Sequence, residues 1–158
     1  MKELLVQTLD DLDTLARDVL CAVEKNTAAK TNATVLALHG ELGAGKTAFT
    51  QTLAGLLGVN DSVTSPTFVI MRIYPVNAHD FFRQLVHIDA YRIESQGEID
   101  VIGFRELLCD PTNLICVEWA GKIEEALPKD ALHITLTQSD NLEEGALRNA
   151  VYGYKDED

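Results

Sequence analysis

Apolar residues recur along this chain with two different periods, and the switches between them predict its elements. Residues 4–8 read as a short strand. From Asp10 onward, Leu12, Leu15, Ala16, Val19 and Leu20 fall at helical spacing, and the polar stretch KNTAAKTNA closes that helix. Thr8 and Asp11 stand at capping-box spacing where it begins, with Asp in place of the usual Glu or Gln. TVLALHG is an apolar run of buried-strand type. After a glycine-rich turn, a second helix is predicted over residues 46–57, with Gly58 at its C-cap. VTSPTFVIMRIY reads as a turn and a strand, PVNAHDFF as a hairpin connection, and RQLVHID as the returning strand. Ser95 and Glu98 suggest a capping box opening a helix that runs to Leu108. Asp110-Pro111 turns the chain into the buried strand LICVEW, Pro128 precedes the alternating ALHITLT, and RNAVYGY supplies one more strand. Helices interleaved with apolar β runs predict an α/β fold with a mainly parallel central sheet and added antiparallel strands.

Composition narrows the picture. No repeat, low-complexity tract or Pro/Gly-rich linker divides the 158 residues, so a single domain over 1–158 is expected, with 155–158 (KDED) as a frayed acidic tail. The charged fraction is 24%, and the frequent charges leave no apolar run long enough to span a bilayer. The opening MKELLVQTLDDLD turns acidic before a signal-peptide core forms, so no membrane association and a cytoplasmic location are expected. A net charge of −12 argues against a broad basic face for nucleic acid, while leaving room for an anion site built from backbone amides. The same acidic balance suits docking to a basic partner, and equally fits a plain soluble acidic protein. Cys21, Cys109 and Cys116 are odd in number and lack C-x-x-C spacing, which disfavours a disulfide framework or a zinc site and gives Cys116 a packing role.

The sharpest chemical signal is Gly40-Glu41-Leu42-Gly43-Ala44-Gly45-Lys46-Thr47, a full match to the P-loop pattern G-x-x-x-x-G-K-[ST] between a predicted strand and a predicted helix. Glycines bring the backbone close to a phosphate without a Cβ clash. Amides from Gly43 to Thr47 and the positive helix end would hold β-phosphate oxygens, the Lys46 ammonium would bridge β- and γ-phosphates, and the Thr47 hydroxyl would ligate Mg2+. The expected architecture is thus a P-loop NTPase-like three-layer fold. Asp89 and Glu118 end the apolar strands LVHID and LICVE. Strand carboxyl ends line the ligand crevice of doubly wound sheets, so both acids are candidates for the Mg2+ shell and for orienting the attacking water. A helix N-cap or a solvated strand end is the plainer role for either. The turn Thr64-Ser65-Pro66-Thr67 follows the loop helix, where a switch segment would lie.

Together GELGAGKT, SPTF, HIDAYRI and VEW, in this order and spacing, resemble the bacterial TsaE (YjeE) family, small P-loop ATPases of tRNA threonylcarbamoyladenosine biosynthesis. The resemblance runs from the first strand to Leu127-Pro128 and rests on four motifs in register: the loop; Ser65, Pro66 and Thr67; His87, Asp89, Tyr91 and Arg92; and Val117, Glu118 and Trp119. It implies catalytic and metal roles for Asp89 and Glu118, metal binding by Thr47, and nucleotide contacts at Gly43, Ala44, Gly45, Lys46, Thr47, Ala48, Thr67 and Trp119. The implied cofactors are ATP and Mg2+. The implied partners are TsaD and TsaB, with tRNA reached indirectly through their complex, and the implied purpose is to power modification of the adenosine next to the anticodon. Ala48 stands where many relatives carry a second threonine, residues 75–82 are longer than in short relatives, and no resemblance extends beyond Leu136.

His87 and Asp89, two apart on one strand, share a face. That spacing fits a two-ligand metal site or a hydrogen bond orienting the nucleotide-side carboxylate. His39, His79 and His133 lack metal-ligand spacing and read as packed or surface residues; Phe81-Phe82 fits a hairpin's apolar face or a partner contact. A small-molecule or nucleotide kinase also needs a P-loop, but the scattered arginines form no cluster for a lid over the donor phosphates. No N-K-x-D segment is present to read guanine. A module that holds nucleotide without turnover is the remaining class.

Overall fold

The computed structural model describes residues 1–27, 29–66, 68–138 and 148–155. In chain order these form β1 (Lys2–Val6), α1 (Leu9–Thr27), β2 (Thr34–His39), α2 (Lys46–Leu56), β3 (Met71–Pro75), β4 (Gln84–Asp89), α3 (Gln96–Val101), α4 (Phe104–Leu108), β5 (Asn113–Glu118), a 3-10 segment (Ala120–Ala126), β6 (Leu132–Gln138) and β7 (Arg148–Tyr154). All seven strands join one sheet in the order β1-β7-β6-β2-β5-β4-β3. The four central strands β6, β2, β5 and β4 run parallel. The pairs β1–β7, β6–β7 and β3–β4 are antiparallel. This is the mixed α/β sheet that the strand pattern predicts, parallel at the centre and antiparallel toward both edges.

The apolar periods decide which faces are covered. Leu36, Leu38, Leu85, Leu114, Cys116, Leu132, Ile134 and Leu136 turn to one side, where the α1 stripe of Leu12, Leu15, Ala16, Val19 and Val23 packs with Phe49 and Leu53 of α2. Val35, Ala37, Val86, Ile88, Ile115 and Val117 turn to the other, against Ile99, Phe104 and Ile123. Both faces being covered explains why β2 and β5 read as continuous apolar runs. Cys116 is fully buried among them, and burial pushes its thiol well above the usual range. No helix among the described residues is long and apolar enough to cross a membrane.

Capping follows the sequence at α1 and departs from it at α3. The Asp11 amide donates to the Thr8 hydroxyl oxygen (3.2 Å) while the Asp11 carboxylate accepts from the Gln7 and Thr8 amides (2.9 Å each), so aspartate completes the reciprocal cap. The Ser95 hydroxyl instead donates to the Glu98 carboxylate (3.0 Å), and the single helix expected from there to Leu108 is broken in two. Gly103 sits at φ +78°, a left-handed conformation that ends α3 and starts α4. Residues 76–83 tie the hairpin to the end of α2: the Asn77 and Ala78 amides donate to Leu57 O (3.3 and 3.0 Å). Phe82 is fully buried there with Phe81 edge-on against it, so this pair includes a core residue of the hairpin. Of the acidic tail, Lys155 is described and pairs with Glu124; residues 156–158 lie outside the described residues.

Candidate functional site

The chain leaves β2 at its carboxyl end and turns through Gly40–Gly45 into α2, in a conformation that three glycines permit. Gly40 has φ +140°, and a Cβ there would lie 2.3 Å from Leu136 O. Gly43 and Gly45 have φ +80° and +104°. Gln138, at the end of β6, holds the loop from outside by donating from Nε2 to Gly43 O (3.0 Å). The Ala44 amide donates to Glu41 O (3.1 Å) and its methyl joins the core, so Ala44 is set inside the turn. The amides of Gly43, Gly45, Lys46 and Thr47 make no backbone hydrogen bond among the described residues. Unbonded donors at the positive end of a helix suit an anion.

Lys46 is 4% exposed. Its ammonium donates to Gly40 O and Glu41 O (2.8 Å each) and lies 4.1 Å from the centre of the Trp119 ring. Burial lowers its pKa from the usual lysine value, and the Glu118 and Asp89 carboxylates pull it part of the way back. The Thr47 hydroxyl donates to Glu118 Oε1 (2.8 Å), which keeps the hydroxyl lone pairs available to a cation.

The two carboxylates owe their placement to register. Asp89 pairs with Glu118 across β4 and β5, and Glu118 pairs in turn with Leu38 of β2, the strand that feeds the loop. Both acids are buried, at 5% and 3% exposure. Asp89 Oδ1 accepts from the Tyr91 amide (2.9 Å) and Oδ2 from the Ser65 hydroxyl (3.3 Å). Trp119, directly after β5, adopts φ +57°, unusual for a side-chain-bearing residue, and its ring meets Tyr91 at 5.0 Å.

These groups converge on one cavity of about 320 Å³, lined by Leu42, Gly43, Gly45, Lys46, Thr47, Ala48, Ser65, Asp89, Tyr91, Glu118 and Trp119. The structure therefore brings together all the candidate residues except Ala44, beneath the loop, and Thr67, which lies outside the described residues. Leu42 also enters the lining; any residue satisfies its place in the general P-loop pattern, and only the resemblance motif GELGAGKT includes it. Gln138 is a polar strand end that nothing marks. His87 does not pair with Asp89: its Nε2 lies 2.7 Å from Glu118 Oε1 on the neighbouring strand. His39 and His133 bond to each other (2.8 Å), and His79 bonds Glu24 (2.8 Å). No group of three or more His, Cys, Asp or Glu side chains among the described residues is arranged to hold a metal by itself. One hydroxyl and two carboxylates beside an anion cradle fit Mg2+, which takes few protein ligands and shares the rest with phosphate and water. A second hollow, about 420 Å³, lies where residues 129–130 and 29–30 precede β6 and β2; its acid, Asp130, is paired with Lys30 (3.0 Å).

Fold and site together define an α/β protein in which a glycine-rich loop and two buried carboxylates meet at the carboxyl ends of parallel strands. The family model described as "Threonylcarbamoyl adenosine biosynthesis protein TsaE" matches residues 6–146, and the chain belongs to that family. The match extends past Leu127-Pro128, where the motif resemblance ends, and past Leu136 into the segment with no recognised resemblance. The chain is 41% identical over 105 residues to the tRNA threonylcarbamoyladenosine biosynthesis protein TsaE of Bacillus subtilis, covering 66% of this chain and 62% of that protein. It is 43% identical over 104 residues to the protein of the same name from Streptomyces coelicolor, covering 65% and 67%. The matched region thus spans less than two thirds of the Bacillus relative's length. The crystal structure of Bacillus subtilis YdiB superposes with a TM-score of 0.66 at 27% identity, covering 96% of this chain and 83% of that one.

Proposed function

We propose that this chain is a Mg2+-dependent ATPase of P-loop type, a single cytoplasmic domain that binds the TsaD–TsaB complex and drives threonylcarbamoyladenosine formation in tRNA. The observation that carries the reading is the meeting, in one cavity, of unbonded loop amides, the Lys46 ammonium and the Thr47–Glu118 hydrogen bond. The amides and Lys46 bind the phosphates, with Lys46 leaving its two carbonyl acceptors to reach them. Thr47, Asp89 and Glu118 would hold Mg2+, whose charge would offset that of the phosphates. A buried carboxylate beside the cavity orients water for attack, and Glu118, closer to the loop through Thr47, is the first candidate. Trp119 and Tyr91 supply an aromatic wall, and the Ser65 turn, docked on Asp89, is placed to respond to the phosphates. The transfer of the threonylcarbamoyl group belongs to the partners. The kinase alternative gains no support from the cavity, which no arginine lines among the described residues.

The experiment is ATP turnover by the purified chain with and without TsaB–TsaD, with GTP and Glu118→Ala as controls. Turnover of ATP that rises with the partners and disappears in the variant is expected. Phosphate moving to a small acceptor, with no response to the partners, would instead indicate a kinase.

A further inference from the structure

His87 is the one ionisable side chain in the interior of β4, flanked by Val86 and Ile88 and fully buried. An imidazole placed there costs stability unless its polar atoms are bonded. Only one is: Nε2 lies 2.7 Å from Glu118 Oε1, while Nδ1 has no partner among the described residues. A neutral imidazole carries a single N–H, and a nitrogen that close to a carboxylate must bear it. Nε2 therefore carries the hydrogen it donates to Glu118, and Nδ1 is left without a partner among the described residues. Register explains the reach. His87 stands opposite Cys116, so its contact with Glu118 is the diagonal one on the same face of neighbouring parallel strands.

Glu118 Oε1 consequently accepts two hydrogens, one from His87 and one from Thr47, and Oε2 accepts none among the described residues. Two donors on one oxygen, from a strand and from a helix, fix the carboxylate's rotation and reserve its other oxygen. Asp89 is held differently, by the backbone of Tyr91 and by the hydroxyl of Ser65. The two acids therefore have separate supports: one is anchored in the sheet and loop helix, the other contacts the Ser65 turn.

We propose that His87 is a positioning residue for Glu118, holding the carboxylate so that Oε2 serves the attacking water; this rests on the hydrolytic reading of the cavity. Its loss lowers turnover and leaves nucleotide binding in place, since the loop amides and Lys46 do not touch it. The test combines ¹⁵N NMR of the histidine-labelled wild-type chain with His87→Leu and His87→Gln. The spectrum is expected to show protonated Nε2, bare Nδ1 and a downfield, slowly exchanging Nε2 proton that moves in Glu118→Gln. His87→Leu is expected to bind Mg-ATP within about threefold of wild type and to turn over about 10- to 100-fold more slowly, the usual effect of losing a supporting hydrogen bond at a metal site. His87→Gln, whose amide reaches the Nε2 position, is expected to recover most of that loss. An Nδ1–H tautomer overturns the proposal even where the leucine variant does not fold, and so does a folded leucine variant with wild-type turnover. A wild-type chain that hydrolyses no ATP with its partners fails the hydrolytic reading itself, an outcome distinct from either of these.

Discussion

Lys46 keeps a cation out of water with no carboxylate of the described residues at hydrogen-bond distance. Two carbonyl oxygens and the face of Trp119 hold it, and burial lowers its pKa from the usual lysine value. Glu118 has the complementary problem, a buried negative charge, solved by donors from Thr47 and His87. Glu118→Gln keeps the shape and an acceptor oxygen but removes the charge. Mg-ATP affinity in calorimetry is expected to stay within a few-fold of wild type while steady-state turnover falls at least about 100-fold, the scale of losing a general base. Wild-type turnover in that variant would move the water-orienting role to Asp89. Lys46, Thr47, Asp89 and Glu118 were legible in the sequence because a glycine pattern and the ends of apolar runs mark them. The partner of His87 was not, because same-face spacing on one strand favours Asp89, whereas the actual contact depends on which strand lies alongside.

At the scale of elements, the loop conformation depends on where β6 ends. Leu136 O occupies the space a Cβ on Gly40 would need, and Gln138 ties down Gly43 two residues later. Gly40→Ala combines a backbone angle that alanine resists with a clash against main chain. It is expected to destabilise the fold by about 2–4 kcal/mol, measured by urea unfolding. A cost below about 0.5 kcal/mol would show that the loop rearranges freely. Strand and helix positions were readable from periodicity: β2 and β5, covered on both faces, leave an unbroken apolar run, and the last strand was placed by its own apolar positions, Ala150, Val151, Tyr152 and Tyr154. The division of the predicted helix into α3 and α4 was not, because Gly103 inside a helical pattern becomes a break only when its left-handed angle is adopted.

For the whole molecule, the sequence indicated a mainly parallel sheet but not its order, which depends on crossovers that local pattern does not encode. Order is what sets β5 and β4 beside β2, and with them Glu118 and Asp89 beside the loop. It also joins His39 of β2 to His133 of β6 across the sheet. Burial lowers both pKa values below the ordinary 6.5; Lys155 nearby lowers them further and Glu124 acts in the opposite sense. Because the unfolded chain binds these protons more readily, the pair's contribution is complete above pH 6.5 and declines as pH falls below it. The melting temperature is expected to drop by a few degrees between about pH 7.5 and 5.5 through this pair, and His133→Gln should flatten that part of the profile. An unchanged profile would assign the acid sensitivity to other groups.

Every role proposed for the site depends on whether the loop cavity binds a nucleotide's phosphates. The most direct measurement is the affinity for Mg-ATP of wild type and of Lys46→Ala by titration calorimetry, with circular dichroism verifying that the variant is folded. Binding by wild type and a loss of at least about 100-fold in the variant are predicted, since Lys46 is the one cationic side chain among the described residues lining the cavity. Equal affinity in a folded Lys46→Ala protein would contradict the account.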